Sequence, residues 1–345
     1  MLGFASQLPF PVCEREEKRQ DRSHNRERGS LPIGVVEGLC EPIMSAFNTS
    51  FQYETLHRAL TSMRARGKLR YIPNRGNAGD SLIAAATWQL FGRLHMTDRM
   101  EIDGDIHAGD NVIYAGGGNL IPEYTQARTA IRACMRAGAA SFVLLPHSIN
   151  GNEDLLREMD NRFHLFCRER QSFAHARRHA TKAHVYLTHD LVFGLDLNLL
   201  NQRMASNLLR LAAGFDAGTL MAYLRWRLKI LAIRPQQARE MRLMRVDVES
   251  KHSGIYPEKY DLSSQHQSAY KERCEAELVS RDFFHVLDRA DHIVSDRLHV
   301  CIGGALLGKK VTMLDNSYGK NGSVYLTSMQ DNFPRVAFPD IQARS

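Results

Sequence analysis

The sequence of 345 residues lacks any apolar run approaching the roughly 18 residues that a helix needs to cross a bilayer. Its longest apolar candidates, such as residues 140–146, have the length of a strand. The N-terminus also lacks the order of a signal peptide, because its charged residues follow its apolar residues. These absences predict a cytoplasmic protein.

Cysteine is scarce and dispersed. The six cysteines form no Cys-x-x-Cys pair and no metal-ligand spacing, which excludes a disulfide framework and the common zinc sites. We therefore expect reduced, mostly buried thiols, and we predict no bound metal.

The chain has little excess charge of either sign: 45 Lys+Arg stand against 38 Asp+Glu, a formal net charge of +7. No RNA-recognition motif, zinc finger or lysine-rich block accompanies this basic balance. We predict no nucleic-acid binding and favour a slightly basic enzyme that handles phosphorylated substrates.

The length predicts about two domains. Residues 1–45 include a segment of mixed charge with almost no apolar residue, which is typical of a disordered tail. Strands alternating with helices then predict an N-terminal α/β domain over 46–198 and a C-terminal α/β domain over 239–345, joined by a helical connection over 199–238. The predicted fold class is therefore α/β, with two Rossmann-like domains whose parallel sheets face a cleft.

The helical connection is rich in arginine. Residues 223–229 place Arg and Trp beside Leu and Ile, a composition typical of a helix at a membrane surface. A linker helix packed on the first domain is the other interpretation, and both stay open here.

Several predicted elements bear on function. A glycine-rich turn over 115–120 is predicted to lead directly into a helix, and residues 264–290 are predicted to form one continuous helix. The predicted strands that matter most lie at 69–73, 111–116, 141–146, 292–296 and 309–317.

Ligands of parallel α/β sheets bind beyond the carboxyl ends of the strands, so the turns found there are the first candidates. The turn GNAGDS (76–81) offers the amide of Asn77, the close backbone approach of Gly79 and the carboxylate of Asp80. Asp80 at a helix N-terminus has a purely structural alternative as a cap.

The second turn, AGGGNL (115–120), lets backbone N–H groups face an anion or a sugar through Gly116, Gly117, Gly118 and Asn119. A turn needed only for tight packing is the alternative. The spacing matches neither the dinucleotide fingerprint nor the phosphate-binding loop of nucleoside triphosphatases.

The third candidate gives the strongest functional signal. Arg297 and His299 crowd the start of a helix in SDRLH, and the following turn DNSYGKN supplies Tyr318, Lys320 and Asn321. Cations beside a helix N-terminus are well placed to bind a phosphate or a carboxylate.

Further polar groups follow other predicted strands, and each has a capping or surface alternative. Ser148 is not a serine-hydrolase nucleophile, because the G-x-S-x-G pattern is absent. The others are His147, Arg168, Arg170, His189 and Asp190.

The ordered set GNAGDS, AGGGNL, LLPHS, RERQS, HD, SDRLH and LLGKKVTMLDNSYGKN resembles the polysaccharide pyruvyl transferase family over about residues 66–328. The resemblance implies a two-domain fold like that of GT-B glycosyltransferases. It also implies transfer of pyruvate from phosphoenolpyruvate onto two hydroxyls of one sugar, which forms a cyclic ketal with no further cofactor. The implied acceptor is a lipid-linked or growing exopolysaccharide unit on the cytoplasmic side, so peripheral contact with the inner membrane is an open expectation.

The family's Arg-Leu-His positions correspond to Arg297, Leu298 and His299, for which the resemblance implies donor binding and acid catalysis. An imidazole suits this acid because it exchanges protons near neutral pH. Asp80 is the candidate base or sugar-hydroxyl acceptor. The C-terminal domain would then be the donor side and the N-terminal domain the acceptor side.

The remaining expected site residues divide by role. Lys320, Arg168 and Arg170 are expected to add cations for the donor. Residues expected on the acceptor side or in the surrounding loops are Asn77, Gly79, Gly116, Gly117, Gly118, Asn119, Asp190, Tyr318 and Asn321.

Two other functions compete with this interpretation. A glycosyltransferase that uses a nucleotide sugar would need an acid to bind the ribose or diphosphate, and Glu249 is the one candidate. A non-catalytic sugar-binding subunit of a polysaccharide assembly complex would not need Asp80, Arg297, His299 and Lys320 together.

Overall fold

The computed structural model describes residues 53–66, 68–214, 217–235, 239–247, 249–251, 257, 260–264 and 266–339. All of them belong to one compact unit, Pro42–Ser345. The predicted tail over residues 1–45 lies outside the described residues.

The larger sheet contains seven parallel strands. Its strands are β1 Leu69–Ile72, β3 Met100–Ile102, β4 Asn111–Tyr114, β5 Gly117–Leu120, β6 Ser141–Ile149, β7 Phe163–Cys167 and β8 His184–Leu187. They lie in the order β3-β1-β4-β6-β7-β8, and β5 pairs with the carboxyl-terminal part of β6. All nine residues of β6 are buried, as expected for a parallel strand covered on both faces.

Five helices accompany this sheet: α1 Glu54–Ala65, α2 Asp80–Arg93, α3 Gln126–Ala137, α4 Glu153–Glu158 and α5 Arg170–His179. The spacing of Ala127, Ile131 and Cys134 gives α3 its buried face. Gly138 ends that helix with φ of 69°, a left-handed conformation that glycine adopts without steric cost.

The smaller sheet has four parallel strands in the order β13-β12-β11-β9. They are β9 Glu240–Arg242, β11 His292–Ser295, β12 Lys310–Met313 and β13 Val336–Ala337, and the helices beside them are α9 Arg273–Asp288, α10 Leu298–Leu306 and α11 Lys320–Val324. Gly303 and Gly304 allow α10 to pack closely, because added Cβ atoms would lie 2.7 Å from Leu287 Cδ1 and 2.9 Å from Ile293 Cδ1.

Along the chain, three helices separate the strands of the larger sheet from those of the smaller sheet: α6 Leu197–Gln202, α7 Met204–Gly214 and α8 Ala217–Leu231. The inner face of α8 buries Tyr223, Trp226 and Ile230. The Tyr223 hydroxyl also donates to Asp282 Oδ2 on α9, at 2.7 Å. One face of the arginine-rich connection is therefore packed on α9, which belongs to the predicted C-terminal domain and not to the first domain that the linker interpretation named.

A short antiparallel ribbon joins the two halves of the chain, pairing β2 Gly76–Asn77 with β10 Gln267–Ser268. The prediction of one helix over 264–290 is wrong at its start, since α9 begins only at Arg273. Pairing with β2 holds residues 267–268 extended, and the Tyr270 hydroxyl then donates to the Asn77 carbonyl at 3.0 Å.

The predicted α/β class is confirmed: a large parallel sheet is accompanied by helices, and the predicted strands over 69–73, 111–116 and 141–146 are all present. Leu82 of α2, Phe283 of α9 and Val300 of α10 share one continuous apolar core. Among the described residues, none of the helices combines the length and the hydropathy that crossing a membrane requires.

Candidate functional site

A cavity of about 320 Å³ lies where the carboxyl ends of the two parallel sheets meet. The larger sheet contributes β5 and the segments after β1 and β7, and the smaller sheet contributes the segments after β9, β11 and β12. This is the edge at which parallel α/β folds bind ligands. Expected site residues that line the cavity are Asn77, Asp80, Gly118, Asn119, Arg168, Arg297, Leu298, His299 and Lys320.

His299 reaches across from the smaller sheet to a carboxylate of the larger one. Its Nε2 lies 3.6 Å from Asp190 Oδ2, slightly beyond hydrogen-bond length. Asp190 is buried and also accepts a hydrogen bond from Arg168 Nη1 at 2.7 Å. Burial raises the pKa of Asp190, but the neighbouring His299 imidazole and Arg168 guanidinium outweigh it and hold that pKa well below its usual range. Asp190 is therefore a buried anion that faces the Arg168 guanidinium and the His299 imidazole.

Arg168 follows the buried strand β7 and is itself buried. Its Nε donates to Ser148 Oγ at 2.9 Å, so Ser148 orients the guanidinium. A Cβ atom at Gly118 would lie 2.9 Å from Arg168 Nη2, which explains a glycine on that strand. The predicted pair of arginines is divided, because the exposed Arg170 starts α5 outside the cavity lining.

Arg297 lines the cavity, but two carboxylates already neutralise it. Its Nε donates to Asp261 Oδ1 at 2.9 Å, its Nη2 to Asp261 Oδ2, and its Nη1 lies 3.0 Å from Asp247 Oδ2. The sequence predicted a free cation here; Asp261 and Asp247 were not anticipated as its partners. Leu298 forms part of the cavity wall beside it.

Glu249 collects the remaining cations of the smaller sheet. Its Oε2 lies 2.7 Å from Arg245 Nη1 and 2.9 Å from Lys320 Nζ, and it accepts from the Tyr318 hydroxyl at 3.2 Å. Burial by itself would raise the pKa of Glu249. The positive charges of Lys320 and Arg245 lower this pKa by more, so it lies below its usual range. Burial lowers the pKa of Lys320 to about 8, against the opposing pull of Glu249.

The turn after β1 contributes Asn77, Gly79 and Asp80 to the site. Asp80 Oδ2 accepts from the Asn77 backbone N–H at 2.9 Å. The alternative expected for Asp80, a helix cap, is wrong, because Gly79 is the N-cap of α2, no side chain caps it and Asp80 is the first helical residue. Asp80 also lines the cavity. A Cβ atom at Gly79 would lie 3.2 Å from His299 Nδ1, so glycine keeps the space beside the imidazole open.

The prediction that the glycine-rich turn leads into a helix is wrong. Residues Gly117–Leu120 form β5, and α3 begins only at Gln126, so no helix dipole acts at the glycines. Gly116 is outside the cavity lining, and an added Cβ there would lie 3.0 Å from the Pro146 carbonyl oxygen.

Gly117 and Asn119 form a polar network behind the cavity. Gly117 has φ of 151°, and an added Cβ would lie 2.8 Å from Asn74 Nδ2. The Asn119 amide donates to Asn74 Oδ1 at 2.7 Å, and its backbone N–H lies 3.0 Å from His147 Nε2. Burial lowers the pKa of His147 to about 3, which keeps this ring neutral.

Two expected residues have supporting positions outside the cavity lining. The Asn321 amide donates to the carbonyl oxygens of Asp296 and Leu314, at 2.6 and 2.9 Å, and ties together the ends of β11 and β12. Tyr318 contacts two cavity-lining residues: its hydroxyl donates to Glu249, and its ring centre lies 5.2 Å from Lys320 Nζ.

Sequence reasoning missed several cavity residues. Arg245 follows β9 as Arg168 follows β7, so the same strand-end rule would have found it. Arg75 is exposed at the cavity and, among the described residues, has neither a hydrogen bond nor an ion pair. Tyr124 lines the opposite wall, and its hydroxyl lies 3.4 Å from Glu249 Oε1.

One group of metal-ligand residue types does occur among the described residues. Atoms of Glu153, His175 and His179 lie within 4.8 Å of one another on α4 and α5. None of the three lines the cavity.

Comparison with known proteins agrees with this architecture. The family model described as polysaccharide pyruvyl transferase matches residues 77–318, more than two thirds of the chain. No curated protein matches the chain. The crystal structure of a functionally uncharacterized protein from Klebsiella pneumoniae subsp. pneumoniae NTUH-K2044 is similar, with 26% sequence identity and a TM-score of 0.64, covering 84% of this chain and 99% of that chain. Because the family model matches the sequence from residue 77 to residue 318, which is more than half of the chain, the chain belongs to the polysaccharide pyruvyl transferase family.

Proposed function

We propose that the protein transfers pyruvate from phosphoenolpyruvate to two hydroxyls of one sugar, forming a ketal on an exopolysaccharide or its lipid-linked precursor. In this proposal the two sheets belong to two lobes arranged as in GT-B enzymes, the smaller on the donor side. The reaction would take place at the cytoplasmic face of the membrane, with no further cofactor. Family membership supports the reaction class, and the cavity supports the donor.

The observation that carries the proposal is the chain of contacts from Arg168 through Asp190 to His299. The Asp190 carboxylate lies 3.6 Å from His299 Nε2, where it can orient the ring for the transfer of a proton to the donor. The Arg168 guanidinium lies on the other side of the carboxylate; its Nε and Nη1 bind Ser148 and Asp190, and its Nη2 can donate to a phosphate or carboxylate oxygen. An acid and an anion-binding group therefore lie within one cavity.

The charges of the cavity suit a small anion with several charges. Phosphoenolpyruvate carries a phosphate and a carboxylate, and Arg168, Arg245, Arg297 and Lys320 all line the cavity. Each of these cations already contacts a protein carboxylate, so a bound donor would share them with those carboxylates. Arg75 adds an unpaired guanidinium among the described residues. In a partly dry cavity such interactions are stronger than in water.

In the proposed reaction, the imidazolium of His299 gives its proton to the methylene carbon C3 of the donor, and C2 becomes an oxocarbenium-like centre. A sugar hydroxyl adds to C2 and loses its proton, and the bond between C2 and the phosphate oxygen then breaks to release phosphate. The second hydroxyl adds to C2 and loses its proton, which closes the ketal. The two sugar hydroxyls release two protons in all. One replaces the proton that His299 gave to C3, and the other leaves with the phosphate or goes to solvent.

Asp80 is the proposed acceptor of a hydroxyl proton or hydrogen bond. One of its carboxylate oxygens is engaged by the Asn77 backbone, which fixes the side chain at the cavity wall. An oriented carboxylate suits this role because it only has to accept a proton.

Binding of a nucleotide sugar is less well supported. The acid that would bind its ribose or diphosphate, Glu249, already accepts hydrogen bonds from Arg245, Lys320 and Tyr318. Replacing these partners by ribose hydroxyls would leave buried cations without their anion, which is costly.

Release of phosphate from phosphoenolpyruvate with a panel of lipid-linked and aryl glycosides tests the proposal. We expect acceptor-dependent release by the wild type and by the control His107→Ala, whose exposed ring lies outside the cavity lining. We expect release by His299→Ala to fall at least about 100-fold. Equal rates for His299→Ala and wild type would remove this residue from the mechanism, and turnover of a UDP-sugar without turnover of phosphoenolpyruvate would overturn the reaction itself.

A further inference from the structure

The outer face of α7 and α8 exposes an unusual amount of apolar surface. Seven large apolar side chains are exposed among the described residues, and four of them lie on these two helices. They are Leu209 at 72% exposure, Met221 at 47%, Leu224 at 38% and Leu228 at 72%. Single exposed leucines need no explanation, but a concentration on one surface does.

The outer apolar residues of α8 form a stripe of their own. Met221, Leu224 and Leu228 are spaced by three and four residues, which places them on one side of the helix. The inner face of α8 already attaches the helix to α9. The stripe therefore does not contribute to the core of the described fold.

The charged residues of α8 are all positive. Residues 197–235 contain six Lys or Arg and a single acidic residue, and two of the six, Arg203 and Arg227, pair with Glu277 and Asp282 of α9. Arg225 and Lys229 are exposed and alternate along the chain with Leu224 and Leu228. Leucines flanked by exposed cations match the boundary between acyl chains and anionic headgroups. A protein partner whose surface carries charges of both signs would be matched by charges of both signs here, whereas an anionic bilayer is matched by cations alone.

The position of this surface adds a second observation. A groove of about 800 Å³ runs beside α7 and α8, where Arg210 and Ala222 line it. Arg75 and Gln267 line both this groove and the catalytic cavity. The groove and the cavity therefore adjoin each other, whereas Leu209, Met221, Leu224 and Leu228 do not line the groove.

We propose that the outer face of α7 and α8 is a docking surface for an anionic lipid bilayer. Leu209, Leu224 and Leu228 enter the acyl boundary, while Arg225 and Lys229 contact the anionic headgroups. This inference goes beyond the reaction and does not depend on it, because bilayer binding needs neither donor nor acceptor.

Co-sedimentation of the full-length protein with vesicles tests the proposal, using phosphatidylcholine alone and phosphatidylcholine with about 30 mol % phosphatidylglycerol. We expect binding to the anionic vesicles that weakens at about 0.5 M salt, as a screened electrostatic attraction should. Leu228→Glu and the double variant Arg225→Glu/Lys229→Glu should each lower the partition coefficient at least about tenfold. Leu187→Glu is the matched control, because Leu187 is a 41% exposed leucine on β8, outside α7 and α8, and this variant should bind like the wild type.

Light scattering on the same proteins, with phosphate release measured in parallel, completes the test. Absence of wild-type binding to anionic vesicles would overturn the proposal, as would equal binding by Leu228→Glu and wild type. A wild-type dimer that Leu228→Glu converts to a monomer, without vesicle binding by either, would instead assign the face to self-association and also overturn it. Phosphate release with a soluble glycoside needs no membrane and therefore measures the reaction alone. A failure of the docking proposal can thus be told apart from a failure of the proposed function.

Discussion

His299 of the smaller sheet and Asp190 of the larger sheet face each other across the cavity, with Nε2 and Oδ2 3.6 Å apart. The same Asp190 oxygen accepts from Arg168, and the Asp190 backbone carbonyl accepts from the Tyr53 hydroxyl at 2.7 Å. Tyr53, just before α1, and Arg168, just after β7, therefore hold Asp190 in place, and the buried Asp190 carboxylate faces His299 on α10. The proposed acid and the proposed anion-binding arginine share it.

Asp190→Asn should lower both stability and phosphate release. Removing the charge leaves Arg168 buried without its anion, which should lower the free energy of unfolding by about 3–5 kcal/mol in urea denaturation. The double variant Arg168→Met/Asp190→Asn should lose less than the sum of the two single variants, by at least about 1 kcal/mol. Strict additivity of the two losses would show that the pair does not interact as described.

Gly79→Ala should slow catalysis without unfolding the protein. Its Cβ would lie 3.0–3.2 Å from Asn77 Oδ1, Ser263 Oγ and His299 Nδ1, so the imidazole would have to shift by a few tenths of an ångström. A small displacement of a reacting group can cost about 100-fold in rate. The control is Gly92→Ala in α2, the helix that Gly79 precedes, where the nearest atom would be 3.7 Å away and stability should rise by about 0.5–1 kcal/mol. Similar kcat values for both variants would show that the space beside His299 does not matter.

The KM for phosphoenolpyruvate should rise above pH 8. Burial lowers the pKa of Lys320 to about 8, so raising the pH through this value removes the ammonium proton and one positive charge from the cavity. KM should then increase by up to about tenfold per pH unit. Lys320→Arg keeps its charge at these pH values and should not show this rise. If the variant and the wild type had the same alkaline pH profile, Lys320 would not be the titrating group.

Asp247→Asn should tighten donor binding. Asp247 accepts from Arg245 and lies 3.0 Å from Arg297, so it neutralises part of the cavity's positive charge. Its loss should lower the KM for phosphoenolpyruvate about threefold to tenfold, while Arg297 stays oriented by Asp261. A higher KM for this variant would show that Asp247 positions the arginines and that its negative charge does not oppose the donor.

Much of the architecture could be predicted from local sequence patterns. The apolar runs that became β1, β4 and β6 are bounded by polar or glycine-containing turns, and the strand-end rule then selected Arg168, Arg297, His299 and Lys320. The strand predictions are confirmed because they depend on residues close together in the chain, and the structure places these four side chains in the lining of one cavity. Their roles in binding and catalysis stay predictions.

The remaining features depend on contacts between distant segments. The pairing of Gly76–Asn77 with Gln267–Ser268 shortened a predicted helix, and nothing near residue 267 in the sequence signals that partner. The same limit hid the neutralisation of Arg297 by Asp261, which lies 36 positions earlier in the chain. Arg170 was overestimated because it is only two positions from Arg168, yet it starts a helix and points away from the lining.

Calorimetric titration of phosphoenolpyruvate and, separately, of a UDP-sugar into the full-length protein tests the central claim most directly, because it needs no acceptor. The account predicts that phosphoenolpyruvate binds the wild type and His107→Ala equally well, and Lys320→Met at least about tenfold more weakly, since Lys320 lines the cavity and His107 does not. Binding of the UDP-sugar without binding of phosphoenolpyruvate would contradict the account.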